Sequence, residues 1–191
     1  MAEMNLLLVR HGEIPSNINK IYAGISPEGL TSNGLIQAEE VAEKLKSCNI
    51  HHLYSSPIQR ARQTAEIIGK RIHRSVVVKD AFREMELGPW EGLAEDDIVK
   101  KYKEEWKIWQ NRPDELQLPG RETLEDLLKR VLTGVSKIYL DMAGRNVVIV
   151  THVAIIRVLR LWHAKKSLGL YKAIHVPNAK IFRMEINSSP D

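Results

Sequence analysis

Leu6-Leu7-Leu8-Val9-Arg10-His11-Gly12-Glu13, with Asn17 shortly after it, is the stretch whose reading decides the fold. A short apolar run closed by an arginine, a histidine and a glycine reads as a buried strand whose C-terminal end opens into a polar cleft. That is where open α/β sheets bind ligands. His11 can act as nucleophile, base or ligand, and the guanidinium fork of Arg10 suits a carboxylate or phosphate.

The same arrangement recurs near the other end of the chain. Asn146-Val147-Val148-Ile149-Val150 is a continuous apolar run of the kind buried on both faces, followed at once by Thr151-His152. Leu53-Tyr54-Ser55 and Val76-Val77-Val78 read as two further strands. Between them, Ser56-Pro57 predicts a helix start, a capping hydroxyl followed by the residue best tolerated at the first helical position. Arg60 then falls in the first turn, where free N–H groups and the helix dipole attract anions. Because the C-terminal ends of parallel strands share one edge, Arg10, His11, Arg60 and His152 can converge there.

The remaining segments alternate accordingly. Ile14 to Leu30, with Pro15, Gly24, Pro27 and Gly29, reads as a long loop over the sheet end. Thr31 or Ser32 caps a helix with an apolar face of Leu35, Ala38, Val41, Ala42 and Leu45, ending near Ser47. Asp80 to Gly92 is a loop rich in carboxylates and glycine, and Glu95 to Gln110 is one helical segment whose Ile98, Tyr102, Trp106 and Trp109 stripe belongs to the core or a lid. The longest helix follows Pro119-Gly120-Arg121-Glu122-Thr123, buries Leu124, Leu127, Leu128, Val131, Val135 and Ile138, and ends at Gly144. Ala154 to Lys165 is a helix, and Ile181 to Ile186 alternates as a strand at the sheet edge. This order predicts a layered α/β fold with a mostly parallel sheet, formed as one domain over residues 1–191.

Composition narrows the function classes. With 43% hydrophobic and 27% charged residues, the sequence is that of a soluble globular protein. The net charge of +4 agrees with an anionic partner but is read as solvated Lys and Arg, and no basic run is long enough to suggest nucleic acid. Cys48 is the only cysteine, which excludes an internal disulfide and a Cys-based zinc site and fits a reducing cytoplasm. The N-terminal apolar run is too short for a signal peptide or a membrane span, so no membrane partner is expected. Disorder is expected only at Asn187 to Asp191, and oligomeric state is left open, a homo-oligomer included.

Five separated blocks carry a resemblance. Leu8-Val9-Arg10-His11-Gly12-Glu13 with Asn17, Leu30-Thr31 to Gln37-Ala38, Tyr54-Ser55-Ser56-Pro57 with Arg60-Ala61 and Gln63-Thr64-Ala65, Arg83-Glu84 to Gly92, and Val150-Thr151-His152 resemble, in that order, the histidine phosphatase superfamily, the phosphoglycerate mutase-like group. The resemblance implies a three-layer α/β/α sandwich around a mostly parallel sheet. It makes His11 the nucleophile that accepts a phosphoryl group. Arg10, Arg60 and His152 then bind the phosphoryl oxygens with Asn17 as a neutral donor, and Glu84 protonates the leaving group. Glu13, Glu86 and Glu91 are nearby rivals of Glu84, whose structural alternative is a pair with Arg83.

No cofactor is implied. A metal held by His11 and His152 is the alternative that the neighbouring arginines oppose. Ala23 and Gly24 are candidate substrate contacts. The sequence departs from the family pattern at Ile14, Ala23, Arg121 and Val153. Arg121 is read as a solvated helix-start residue, with contact to a second anionic group as its other reading. The substrate implied is a small phosphorylated metabolite, with a lean toward α-ribazole phosphatase and broad-specificity phosphatases. The alternatives are a phosphoglycerate mutase, a phosphoprotein phosphatase and an inactive phosphate-binding module.

Overall fold

Strand β1 (Met4–Arg10) lies between β4 (Asn146–Thr151), parallel to it, and β5 (Ile181–Ile186), antiparallel to it. The computed structural model, which describes residues 3–142 and 144–190, places five strands in one sheet in the order β3-β2-β4-β1-β5. Strands β2 (His52–Ser55) and β3 (Val76–Val78) complete its parallel part, and β5 takes the edge, as its alternation predicted.

Register puts the site together. Arg10 pairs with Thr151 and Ser55 with Val150, so β1 and β4 end level and β2 ends one residue short of them. His11, Ser56 and His152 are the next residues in each case.

Successive side chains of a strand point to opposite faces, and both faces are covered. Leu7, Val9, Val148 and Val150 pack with Val41, Ala42 and Leu45 of α2 (Ser32–Leu45) and with Ala61, Ala65 and Ile68 of α3 (Gln59–Ile72). Leu6, Leu8, Val147 and Ile149 share the other core with Val131, Val135 and Ile138 of α6 (Leu124–Met142) and Ile155, Val158 and Leu159 of α7 (Val153–His163). Each of the Val, Leu and Ile side chains contributes about 1.5–3 kcal/mol by leaving water. The strand ends that carry the site are therefore clamped from both sides.

Helix α2 docks by glycine. A Cβ on Gly12 would sit 2.4 Å from the Gly34 carbonyl oxygen, and one on Gly34 would sit 2.2 Å from that of Glu13. Thr31 caps α2, its hydroxyl accepting from Gly34 N at 2.9 Å. Leu35, expected on the buried face, is 44% exposed. Gly34 occupies the docking face, and the next residue is turned about 100° away.

Three other expectations are corrected. The loop from Ile14 to Leu30 contains a one-turn helix α1 (Pro15–Ile18), started by the preset backbone of Pro15 and too short to show periodicity. Helix α3 begins at Gln59 rather than Pro57, and Ser56 lies outside it. The segment from Glu95 to Gln110 is two helices, α4 (Glu95–Lys101) and α5 (Lys103–Asn111). They part at Tyr102 (φ −125°, ψ 52°), whose ring packs on Trp90 and redirects the chain so that Trp106 and Trp109 surround the same indole.

The end of α6, expected at Gly144, is described to Met142, and Gly144 holds a φ of +81°. At Asn187 to Asp191, where disorder was expected, the described part makes two contacts with α6. The Asn187 carbonyl accepts from the Tyr139 hydroxyl at 3.2 Å and that of Pro190 accepts from Ser136, while Asp191 lies outside the described residues. No helix among the described residues is long and apolar enough to cross a membrane.

Candidate active site

Where β1 ends, His11 is held by its own backbone neighbourhood. Its Nδ1 lies 2.7 Å from the Gly12 carbonyl oxygen. A carbonyl only accepts, so Nδ1 carries the hydrogen and Nε2 keeps its lone pair. Gly12 N donates to the Thr64 hydroxyl at 3.1 Å, and that hydroxyl donates to the Arg60 carbonyl, which ties the end of β1 to the first turns of α3. The His152 ring stands 5.2 Å from that of His11, centroid to centroid. Burial and the charges of Arg60 and Arg10 hold both imidazoles well below the usual histidine range, so both are neutral.

The two arginines are anchored by carbonyls rather than carboxylates. Arg10 Nη1 donates to the Val176 carbonyl at 2.6 Å, and Arg60 donates to those of Gly24 and Ser26 at 2.5 and 3.0 Å. Arg10 Nε, Arg60 Nε and His152 Nδ1 are buried and have no hydrogen-bond partner among the described residues. Two orphaned guanidinium N–H groups and an unpartnered imidazole nitrogen beside His11 are costly unless an anion completes the site.

The carboxylates sort themselves by contact. Glu13 accepts from the Thr31 hydroxyl, Glu86 pairs with Arg83, and Glu91 accepts from Ile25 N. Glu84 alone of these four lines the cleft of about 360 Å³ that also contains Arg10, His11, Asn17 and Arg60. Arg83 pairs with Asp80 and Glu86, so the alternative of an Arg83–Glu84 pair does not hold. Burial pushes the Glu84 carboxyl above the usual range, against the hydrogen bonds from Met85 N and Ala154 N and the pull of Arg60 and Arg10. The loop that presents it is fixed from below. Arg130 of α6 donates to the Ala81 and Arg83 carbonyls at 2.9 and 3.2 Å and forks onto Glu122 with two bonds of 2.7 Å.

Asn17 lines the cleft as expected. Its Oδ1 accepts from Ile14 N and from Asn178 Nδ2, which leaves its own amide hydrogens for the cleft. Ala23 and Gly24 also line it, although the Gly24 carbonyl is taken up by Arg60. Ile14 and Val153 are on the wall too, so those two departures make it more apolar.

Ser56, expected to cap α3, is instead 2.7 Å from His152 Nε2 through its hydroxyl, which also accepts from Ile58 N. Arg121 overturns its solvated reading: it is 8% exposed, its guanidinium lying between Trp90 and Trp109 at 4.9 and 4.4 Å from the ring centroids. Asn178, Ser56, Tyr22, Arg157, Tyr171 and Lys172 were not singled out in the sequence as site residues. Pro177-Asn178 just ahead of β5 was the one available hint.

The arrangement presents a neutral imidazole lone pair, a cationic cradle and a buried carboxyl whose pKa is raised above its ordinary value, a set suited to phosphoryl transfer. Residues 6–190 match the family model described as the histidine phosphatase superfamily (branch 1). The uncharacterised phosphatase PhoE of Bacillus subtilis is 34% identical over 152 residues, 80% of this chain and 73% of that protein. Phosphoglycerate mutase-like protein 4 of Arabidopsis thaliana is 32% identical over 182 residues, 94% of this chain and 79% of that protein. Among solved structures, the mycobacterial glucosyl-3-phosphoglycerate phosphatase in complex with VO3 superposes with a TM-score of 0.87 at 26% identity, covering 94% of this chain and 91% of that one.

Proposed function

The chain belongs to the histidine phosphatase superfamily, and from that premise we propose that it hydrolyses a small phosphomonoester through a phosphohistidine at His11. The observation that carries the reading is the set of three unpartnered buried nitrogens, Arg10 Nε, Arg60 Nε and His152 Nδ1, around an imidazole whose Nδ1 is already bonded. A phosphoryl group supplies the acceptors they lack.

His11 Nε2 attacks phosphorus as the bond to the ester oxygen breaks, and Glu84 delivers its proton to that oxygen. The leaving alcohol departs, a water enters, and Glu84, now a carboxylate, takes a proton from it as the oxygen attacks phosphorus. The N–P bond breaks, phosphate is released, and His11 and protonated Glu84 are restored. Arg10, Arg60, His152 and Asn17 hold the three non-bridging oxygens as charge shifts between them. Removing one such donor costs about a hundred- to a thousandfold in rate.

Ser56 sets the tautomer of His152. Its hydroxyl donates to Nε2, so that Nδ1 carries the hydrogen that meets the phosphoryl group. The single cysteine agrees with work in the cytoplasm.

Rapid quenching during p-nitrophenyl phosphate turnover, with a chelator present, tests the reading. An acid-labile phosphoenzyme should accumulate in the wild type and be absent from His11→Ala, with turnover lost. A wild-type rate in His11→Ala overturns it. Interconversion of phosphoglycerates without phosphate release transfers the case to the mutase alternative.

A further inference from the structure

Residues 176–179, just ahead of β5, grip the end of β1. The Val176 carbonyl accepts from Arg10 Nη1 at 2.6 Å, and Ala179 N donates to the Arg10 and His11 carbonyls at 3.1 and 3.2 Å. Ala179 holds a φ of +52°, where a Cβ is disfavoured, so these contacts fix the turn against its own backbone preference. Within the turn, Asn178 Nδ2 lies 2.8 Å from Asn17 Oδ1 and 3.2 Å from the His11 carbonyl oxygen.

The partners dictate how both amides are turned. Ile14 N, 3.2 Å from the Asn17 side chain, can only donate, so the Asn17 atom that faces it is the oxygen. That oxygen also faces Asn178, which must therefore donate to it. The His11 carbonyl can only accept, and it demands the same end of Asn178. Both hydrogens of the Asn178 amide are thus used, and those of Asn17 are left to the cleft that Asn17 lines.

The two ends of an asparagine amide are alike in size and opposite in what they offer. Turned over, Asn17 would direct lone pairs at the anionic oxygens of a phosphoryl group. Ile14 N opposes that turn through one bond, and Asn178 opposes it through a second, shorter one. Asn178 itself is not among the residues that line the cleft, so it reaches the substrate only through Asn17.

We propose that Asn178 is a positioning residue for phosphoryl transfer, locking the Asn17 amide with its hydrogens toward the phosphoryl oxygens. This rests on the reading of His11, Arg10 and Arg60 as the phosphoryl site. A donor held in its productive orientation needs no rearrangement when substrate binds. When Asn178 is replaced, the His11 carbonyl still has Ala179 N as a donor, so the loss falls on Asn17.

A double-mutant cycle tests the lock, read on kcat/KM for p-nitrophenyl phosphate and on calorimetric binding of inorganic phosphate. Asn178→Ala should lower each by about 3- to 10-fold, the worth of one neutral hydrogen bond. In an Asn17→Ala background the same substitution should change either by less than about twofold, because the residue it acts through is gone. Asn178→Asp keeps the shape but sets a carboxylate against the Asn17 oxygen, so it should cost more than about tenfold. It carries the same cycle should Asn178→Ala not fold, which circular dichroism and thermal melts check.

Equal losses in both backgrounds would mean that Asn178 merely holds its loop, and they overturn the proposal, as does wild-type kcat/KM in Asn178→Asp. If the wild type releases no phosphate from the ester, the phosphatase reading fails and the phosphate titrations decide alone. Coupling of Asn178 to Asn17 in those titrations supports the lock, and additive losses or no binding of phosphate overturn it.

Discussion

Replacing Glu84 by glutamine changes one proton and almost no volume. The buried carboxyl accepts from Met85 N at 2.9 Å and from Ala154 N, and the amide oxygen of glutamine can take both bonds, so the loop keeps its geometry. Burial raises the Glu84 pKa, which is to say that the site disfavours the charged form; glutamine removes that penalty, and stability at neutral pH should be unchanged or higher. What is lost is the proton for the leaving oxygen. General acid catalysis is worth about 10²–10⁴ in rate, and the full factor should appear with an alkyl phosphate, whose alkoxide cannot depart unprotonated. With p-nitrophenyl phosphate, whose phenolate departs unaided, the first step should slow by less than about tenfold. The assay is kcat/KM for the two esters across pH, which reports the steps up to phosphorylation of His11 and leaves out the later attack of water. Glu84 must be protonated to act and His11 neutral, so the wild type should show an alkaline limb set by Glu84 above 4.5 and an acid limb set by His11 below 6.5. Glu84→Gln should lose the alkaline limb and keep the acid one. The same fold-loss on both esters, with the alkaline limb intact, would refute the assignment of the proton to Glu84.

Two further outcomes are expected. His11 and His152 have folded-state pKa values below 6.5, so the stability they confer is complete above 6.5 and declines as pH falls below it, until the folded histidines themselves protonate. Each contributes a slope of up to about 1.4 kcal/mol per pH unit. Glu84 acts with the opposite sign, its share being complete below 4.5 and lost as pH rises through its raised folded value. Urea melts should therefore show a net acid loss that steepens in Glu84→Gln, and a pH-independent midpoint between 7 and 5.5 would contradict the buried neutral histidines. Arg130→Met removes a fork whose side chains are only 16% and 10% exposed, leaving the Glu122 carboxylate unpaired. That costs about 3–5 kcal/mol. Adding Glu122→Gln should recover a large part of it in chemical denaturation, and a double variant no more stable than the single one would show that the pair itself is not the source.

Much of this protein is legible in one dimension. Apolar runs closed by Arg10-His11 and Thr151-His152 dictate buried parallel strands ending at a polar edge, because alternation and burial are local properties of a strand. Arg60 at a helix start and Glu84 in a carboxylate-rich loop were visible for the same local reasons. The three-layer sandwich with its mostly parallel sheet is the one expected.

The tertiary structure gives the physical reason that separates equivalents; Glu84 is otherwise distinguished from its neighbours only by the family resemblance. Glu13, Glu84, Glu86 and Glu91 are chemically alike, and contacts with Thr31, Arg83 and Ile25 remove three of them from the cleft. The Ser56 hydroxyl, two residues ahead of the Ile58 cap of α3, meets His152 from far along the chain as well as Ile58 N. Arg121 looks like any solvated residue at a helix start until α5, set apart by the turn at Tyr102, brings Trp109 against it opposite Trp90. Sequence patterns report which face a side chain occupies. Which other charge, ring or hydroxyl it meets there is set by long-range packing, and it is that meeting that decides protonation, partner and role.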